Sequence, residues 1–300
     1  MISVGIFTGY YPYTIDETIR KIKGSDFSCV QLDVSFKDCD VTKEELTKEK
    51  ANLIRDKFRD ANLPIVTISG YTNFVHPDPV RRKANINYLK TMIRFAKDLG
   101  SPYVASETGT YDPDSDWVWH EKNSTEEAYK ETLLIIRDIV RYAEEYGVTF
   151  LIENYVNNVI GSMEQVERLF DDVNSKNLGL ICDPTNYFDD SNIDHVDQQL
   201  HQIFNRLSPY FKIAHAKDCK KAVDLSEKHA DIDADESHTF RGSGAVELPA
   251  AGLGDLNYDL YVKLLAKDHP NIPLIIEHLD EGDVPRAKKF IDDTLKRVGV

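Results

Sequence analysis

"LGLICDPTNYF", residues 178–188, runs through small and apolar positions into Asp183, locks the next position with Pro184 and continues with Thr185 and Asn186. A strand that is apolar on both faces suits a parallel sheet covered by helices, where the residues just past its C-terminal end face the loops. Seven further runs of this kind occur: "VGIFTG" (4–9), "SCVQLDV" (28–34), "PIVTISGY" (64–71), "PYVASETG" (102–109), "TFLIENY" (149–155), "FKIAHAKD" (211–218) and "PLIIEHL" (273–279). Helical segments lie between them, with apolar residues on one face, as at Leu89, Ile93 and Ala96 or Leu133, Ile136, Val140 and Ala143. Their ends carry signals: Asp78 before Pro79 as an N-cap, Ser124 with Glu127 and Ser162 with Gln165 as capping boxes, and Gly100 and Gly147 at C-termini. Eight strand and helix alternations in succession predict an α/β protein of the (β/α)8 TIM-barrel class rather than an open doubly wound sheet.

The chain of 300 residues, 41% hydrophobic, has the length of one such barrel, and no interdomain linker or internal repeat divides it, so a single domain over 1–300 is expected. A net charge of -15 argues against nucleic acid and anionic membranes as partners, since both need dense basic surfaces. Cys29, Cys39, Cys182 and Cys219 lack the close pairing of a zinc site or disulfide framework, which predicts reduced thiols and a cytoplasmic location. "MISVGIFTGY" enters a strand without a basic leader region, and no apolar run is long enough to span a bilayer.

Polar residues gather at the C-terminal ends of the last four main strands: Glu153, Asp183, His215 and Glu277. Alone, each acid reads as a helix cap or ion-pair partner and the histidine as a hydrogen-bonded core residue. A barrel brings all four to one rim, where three carboxylates would repel one another unless a cation joined them. A divalent metal supplies that charge. Mn²⁺, Mg²⁺, Co²⁺ and Zn²⁺ are the candidates, and the oxygen-rich set suits open six-coordination better than a closed structural zinc site.

The order Glu, Asp-Pro-x-Asn, His-x-Lys-Asp, Ile-Ile-Glu resembles the xylose isomerase-like barrel superfamily of sugar phosphate isomerases and epimerases, which includes ketose 3-epimerases, inosose dehydratase and endonuclease IV. The resemblance runs from "VGIFTG" to "IIEHL". It implies Glu153, Asp183, His215 and Glu277 as ligands of one divalent ion, and in ketose 3-epimerases the two metal-bound glutamates pass a proton on either face of the sugar. Glu153 and Glu277 take those catalytic roles by resemblance. The commoner pattern has histidine where this chain has Asn186, so a substrate contact there would be made by an amide. The three-zinc site of the endonuclease branch needs further histidines that the sequence does not place.

These features predict a metal-dependent isomerase or epimerase of a small carbohydrate or polyol, working through an enediolate. An inosose-type dehydratase and a non-catalytic sugar-binding barrel are the alternatives. Arg241, Asn186, Lys217 and Glu107 are the expected substrate contacts, with Lys217 and Asp218 also placed to orient His215. The polar segment from Cys219 to Gly254 is long for a loop and is expected to close over substrate, carrying Arg241. Trp117 and Trp119 suit a wall against a sugar, or a subunit contact in a homo-oligomer. His76 and His120 read as surface or packing histidines.

Overall fold

Each of the eight runs becomes a strand of one closed barrel in the computed structural model, which describes residues 1–222 and 246–300. The strands are β1 (Ser3–Phe7), β2 (Cys29–Leu32), β5 (Ile65–Ser69), β6 (Tyr103–Glu107), β7 (Thr149–Glu153), β8 (Leu178–Cys182), β9 (Phe211–Ala216) and β12 (Pro273–Ile276). They close in the order β1-β12-β9-β8-β7-β6-β5-β2, with every barrel pair parallel. Among the described residues, two short antiparallel pairs lie outside the barrel, beyond the eight apolar runs: β3 (Ser35–Phe36) with β4 (Cys39–Asp40), and β10 (Lys220–Lys221) with β11 (Val246–Glu247). No helix among the described residues is long and apolar enough to cross a membrane.

The helices begin and end largely where their signals stand. Asp78 caps α3 (Pro79–Phe95), accepting from the Val80 N–H at 2.7 Å, and Ser162 with Gln165 forms the reciprocal capping box of α5 (Met163–Val173). Gly147 ends α4 (Glu126–Tyr146) with a φ of 63°, a left-handed conformation that glycine adopts without strain. The cap of α4 is Thr125 rather than Ser124. A 3₁₀ turn over Glu121–Ser124 takes Ser124 as its last residue, leaving the Thr125 hydroxyl to accept from the Ala128 N–H.

Strand alternation carries the fold to the site. Side chains two apart share a face, and Ala105, Leu151, Ile181 and Ile213 form a small cluster separate from the main core between barrel and helices. Adding two to each number gives Glu107, Glu153, Asp183 and His215; the same parity on β12 and β2 leads from Ile275 to Glu277 and from Cys29 to Gln31. The apolar cluster is thus the floor on which the polar residues stand. Leu151→Ala should cost about 2–5 kcal/mol by opening a cavity there, measured by urea unfolding. A loss below about 1 kcal/mol would mean that the floor is not closely packed.

Candidate functional site

Glu153 ends β7, Asp183 follows β8, His215 lies in β9 and Glu277 follows β12. All four are buried, and one donor atom from each lies within 4.8 Å of the others. His215 Nδ1 stands 3.1 Å from Glu277 Oε1, 3.3 Å from Asp183 Oδ2 and 3.4 Å from Glu153 Oε1. Donors held at right angles about 2.1 Å from one ion lie about 3 Å apart, so the spacing fits a divalent metal. Asp183 Oδ2, His215 Nδ1 and Glu277 Oε1 are buried without an aligned hydrogen bond, so beyond their charge contacts with one another and with Lys217 they keep the capacity to bind a ligand.

The surrounding groups hold these atoms in place. Asp183 Oδ1 accepts from the Thr185 hydroxyl at 2.7 Å and caps the turn Pro184–Tyr187, which leaves Oδ2 facing the centre. The acid is therefore both cap and candidate ligand. His215 Nε2 is 3.0 Å from Gln31 Oε1, an acceptor that holds a proton on Nε2, so Nδ1 is the nitrogen that would give up its proton to a metal. Asn186 Nδ2 donates to Glu153 Oε1 at 2.7 Å, and the Tyr71 hydroxyl donates to Glu153 Oε2.

Lys217 Nζ reaches the same oxygens: 2.7 Å to Asp183 Oδ2, 3.0 Å to Glu277 Oε1 and 3.6 Å to Glu153 Oε1. Burial opposes ionisation of Asp183, but the Lys217 and His215 charges outweigh it and hold the carboxyl well below its usual range. Glu277 follows the same logic, opposed by burial and drawn down to about 2 by His215 and Lys217. Lys217 is thus the internal counter-charge. Lys217→Met should destabilise the metal-free protein by about 3–5 kcal/mol, because uncompensated carboxylates are left buried. Mn²⁺ should restore much of the loss by binding the native state. Thermal unfolding in EDTA and in Mn²⁺ checks this; an unchanged metal-free variant would remove Lys217 from the charge balance.

Above the four donors lies a cavity of about 340 Å³ with Phe7, Tyr10, Tyr155 and Trp117 among its apolar walls and Glu107, Asn186 and Lys217 among its polar ones. Burial, reinforced by repulsion from Glu153, pushes the Glu107 carboxyl well above its usual range. A larger groove of about 740 Å³, lined by Arg82, His120 and Glu131 among others, contains none of the four donors.

The structure brings together Glu107, Glu153, Asp183, Asn186, His215, Lys217 and Glu277. Arg241 falls in residues 223–245, outside the described residues, as does most of the segment expected to close over substrate. Asp218 does not orient His215; its carboxylate accepts from the N–H groups of Cys219, Gly252 and Leu256, each at 2.9 Å, and so fastens the chain after β9. Trp117 lines the cavity while Trp119 is exposed. His76 and His120 accept backbone N–H groups of Asp78 and Lys122 in local turns. All four cysteines are buried and free.

Several pocket residues escaped the sequence reading. Gln31 had one signal, a polar side chain on the inward parity of an apolar strand. Tyr71 had a weaker one, two residues past inward-facing Ser69. His278 had none: it adopts a φ of 59°, its N–H donates to the Tyr10 hydroxyl at 2.6 Å, and burial lowers its pKa to about 4.

Residues 19–295 match the family model of the xylose isomerase-like TIM barrel, and the chain belongs to that family. No curated protein matches its sequence. Among solved structures, a D-tagatose 3-epimerase-like protein is 18% identical with a TM-score of 0.70, covering 99% of this chain and 98% of its own. A xylose isomerase-like TIM barrel protein from Mycobacterium smegmatis, in complex with magnesium, is 15% identical with a TM-score of 0.69, covering 99% and 96%. The probable 3-DHS dehydratase of petrobactin synthesis from Bacillus anthracis is 14% identical with a TM-score of 0.69, covering 100% and 99%. At these identities the likeness establishes the fold.

Proposed function

We propose that this member of the xylose isomerase-like TIM-barrel family is a divalent-metal-dependent isomerase or epimerase of a small carbohydrate or polyol. The observation that carries the reading is the convergence of Glu153 Oε1, Asp183 Oδ2, His215 Nδ1 and Glu277 Oε1, three of them without an aligned hydrogen bond. Mg²⁺, Mn²⁺, Co²⁺ or Zn²⁺ held there would supply positive charge to offset the negative charge that develops on a substrate carbonyl and its neighbouring hydroxyl as the C–H between them is deprotonated.

The chain's own residues do the rest. Glu153 and Glu277 are the proton-transfer carboxylates, from strands separated by β8 and β9 in the barrel order. Tyr71 and Asn186 fix both oxygens of Glu153, so its position is set before substrate arrives. Lys217 lies within 4 Å of both glutamates and can donate to a substrate oxygen beside them. Phe7, Tyr10, Tyr155 and Trp117 present apolar surface beside the transfer.

Ketoses, aldoses and inososes incubated with Mn²⁺ in D₂O, followed by NMR, test the proposal. Deuterium should enter one carbon of a substrate, and EDTA should stop it. A silent panel, or exchange indifferent to EDTA, would count against the assignment. An unsaturated ketone as product would move it to a dehydratase, and binding without exchange to a sugar-binding barrel.

A further inference from the structure

We infer that Tyr10 is a further substrate-binding residue, whose hydroxyl donates to a hydroxyl oxygen of the substrate on the Glu277 side of the cavity, and that the left-handed backbone of His278 holds it there. The inference rests on the carbohydrate reading above and adds a contact to it. Among the described residues, four that are not glycine have a positive φ: Asp26, Asn62, Asn174 and His278. The first three are Asp or Asn at or just past the ends of the helices Ile15–Gly24, Lys48–Asp60 and α5, where a left-handed residue commonly stops a helix. His278 instead follows β12, so helix termination does not account for its φ of 59°. What the conformation achieves is contact: the His278 N–H donates to the Tyr10 hydroxyl at 2.6 Å, and its Nδ1 donates to the Leu248 carbonyl at 3.0 Å. An uncommon backbone conformation beside a cavity points to a role there.

Tyr10 is fixed at both ends. It closes a 3₁₀ turn, Thr8–Tyr10, directly after β1, and the Thr8 hydroxyl anchors that turn by accepting from the Asp33 N–H at 2.8 Å. The ring meets Phe7 edge-on, with centroids 5.1 Å apart. The hydroxyl is held by the His278 N–H, one peptide unit from Glu277. A phenol has one proton to give, and since that N–H already occupies the oxygen from one side, the proton must point elsewhere. Tyr10 and Glu277 both line the cavity, and among the described residues no group accepts from the Tyr10 hydroxyl. A substrate hydroxyl in the cavity supplies an acceptor. Because ring and oxygen are both held beforehand, the bond forms with little further ordering of the protein.

Titration calorimetry of the Mn²⁺-loaded protein with D-fructose, D-tagatose and an inosose tests this, followed by the monodeoxy analogues of whichever compound binds. At least one compound should bind. Tyr10→Phe, which keeps the ring against Phe7, should weaken that binding about threefold or more, with Mn²⁺ affinity near wild type. One monodeoxy analogue, lacking the oxygen that Tyr10 meets, should bind the wild type and Tyr10→Phe alike, while the others keep the difference. Equal weakening of every analogue would show a merely structural role and overturn the inference, as would unchanged affinity in Tyr10→Phe. Silence of the wild type toward every compound would overturn the carbohydrate reading and this inference with it. Solvent exchange measured in parallel separates the contact from the proposed reaction. Exchange with binding indifferent to Tyr10→Phe overturns the role of Tyr10 alone, whereas Tyr10-dependent binding without exchange overturns the reaction alone.

Discussion

His215→Ala is expected to abolish metal retention and turnover while leaving the barrel folded. His215 Nδ1 is the one nitrogen among the four donors, 3.1–3.4 Å from each carboxylate oxygen. Loss of a partner that merely orients a ligand costs about 10–100-fold in metal affinity or activity, and loss of the ligand itself should exceed that range. The fold should survive because the His215 backbone is held independently: β9 pairs with β8 and β12, and the Tyr261 hydroxyl donates to the His215 carbonyl at 2.8 Å. Elemental analysis of the purified variant, with far-ultraviolet circular dichroism as the fold control, decides the matter. Full metal stoichiometry with normal activity would remove His215 from the site.

Gln at position 153 or 277 is expected to reduce turnover by about 10²–10⁴-fold, the usual contribution of a general acid or base, with a much smaller loss of substrate binding. The two variants should differ in kind. Glu153 receives the Asn186 amide on one oxygen and the Tyr71 hydroxyl on the other, so a glutamine there must turn its NH₂ toward one donor and disturb the local network. Glu277 Oε1 has no aligned hydrogen bond, and glutamine there mainly removes charge facing Lys217 and His215. In a two-base epimerase, each variant that keeps its metal should exchange solvent deuterium into one epimer and not the other. Symmetric loss with metal still bound, or wild-type rates in both, would defeat the two-base reading in favour of a dehydratase or a binding protein.

Much of this was legible in one dimension. The strand runs could be read because a strand buried on both faces needs an unbroken apolar stretch, and "LGLIC", "TFLI" and "PLII" supply one each. The candidate ligands could be read because parity and the barrel rule assign the residue ending each strand to one rim; Glu153, Asp183, His215 and Glu277 needed no more than that. The cap of α4 was misplaced by one residue because Ser124 and Thr125 both suit a cap, and the choice depended on the 3₁₀ turn packed before it.

Strand order, inward parity and the polar residue each strand delivers to the rim depend on local periodicity and chain direction, and both are present in the linear chain. How those residues meet depends on the folded barrel. That Gln31 would orient His215 across a separation of 184 residues, that Lys217 would turn its ammonium onto three carboxylates while adjacent Asp218 turned away to fasten a loop, and that Glu107 would be left with an unpartnered oxygen are all matters of side-chain direction and distance. Periodicity assigns a residue to a face, whereas hydrogen bonds and ion pairs depend on ångström-scale separations set by how eight strands close and pack.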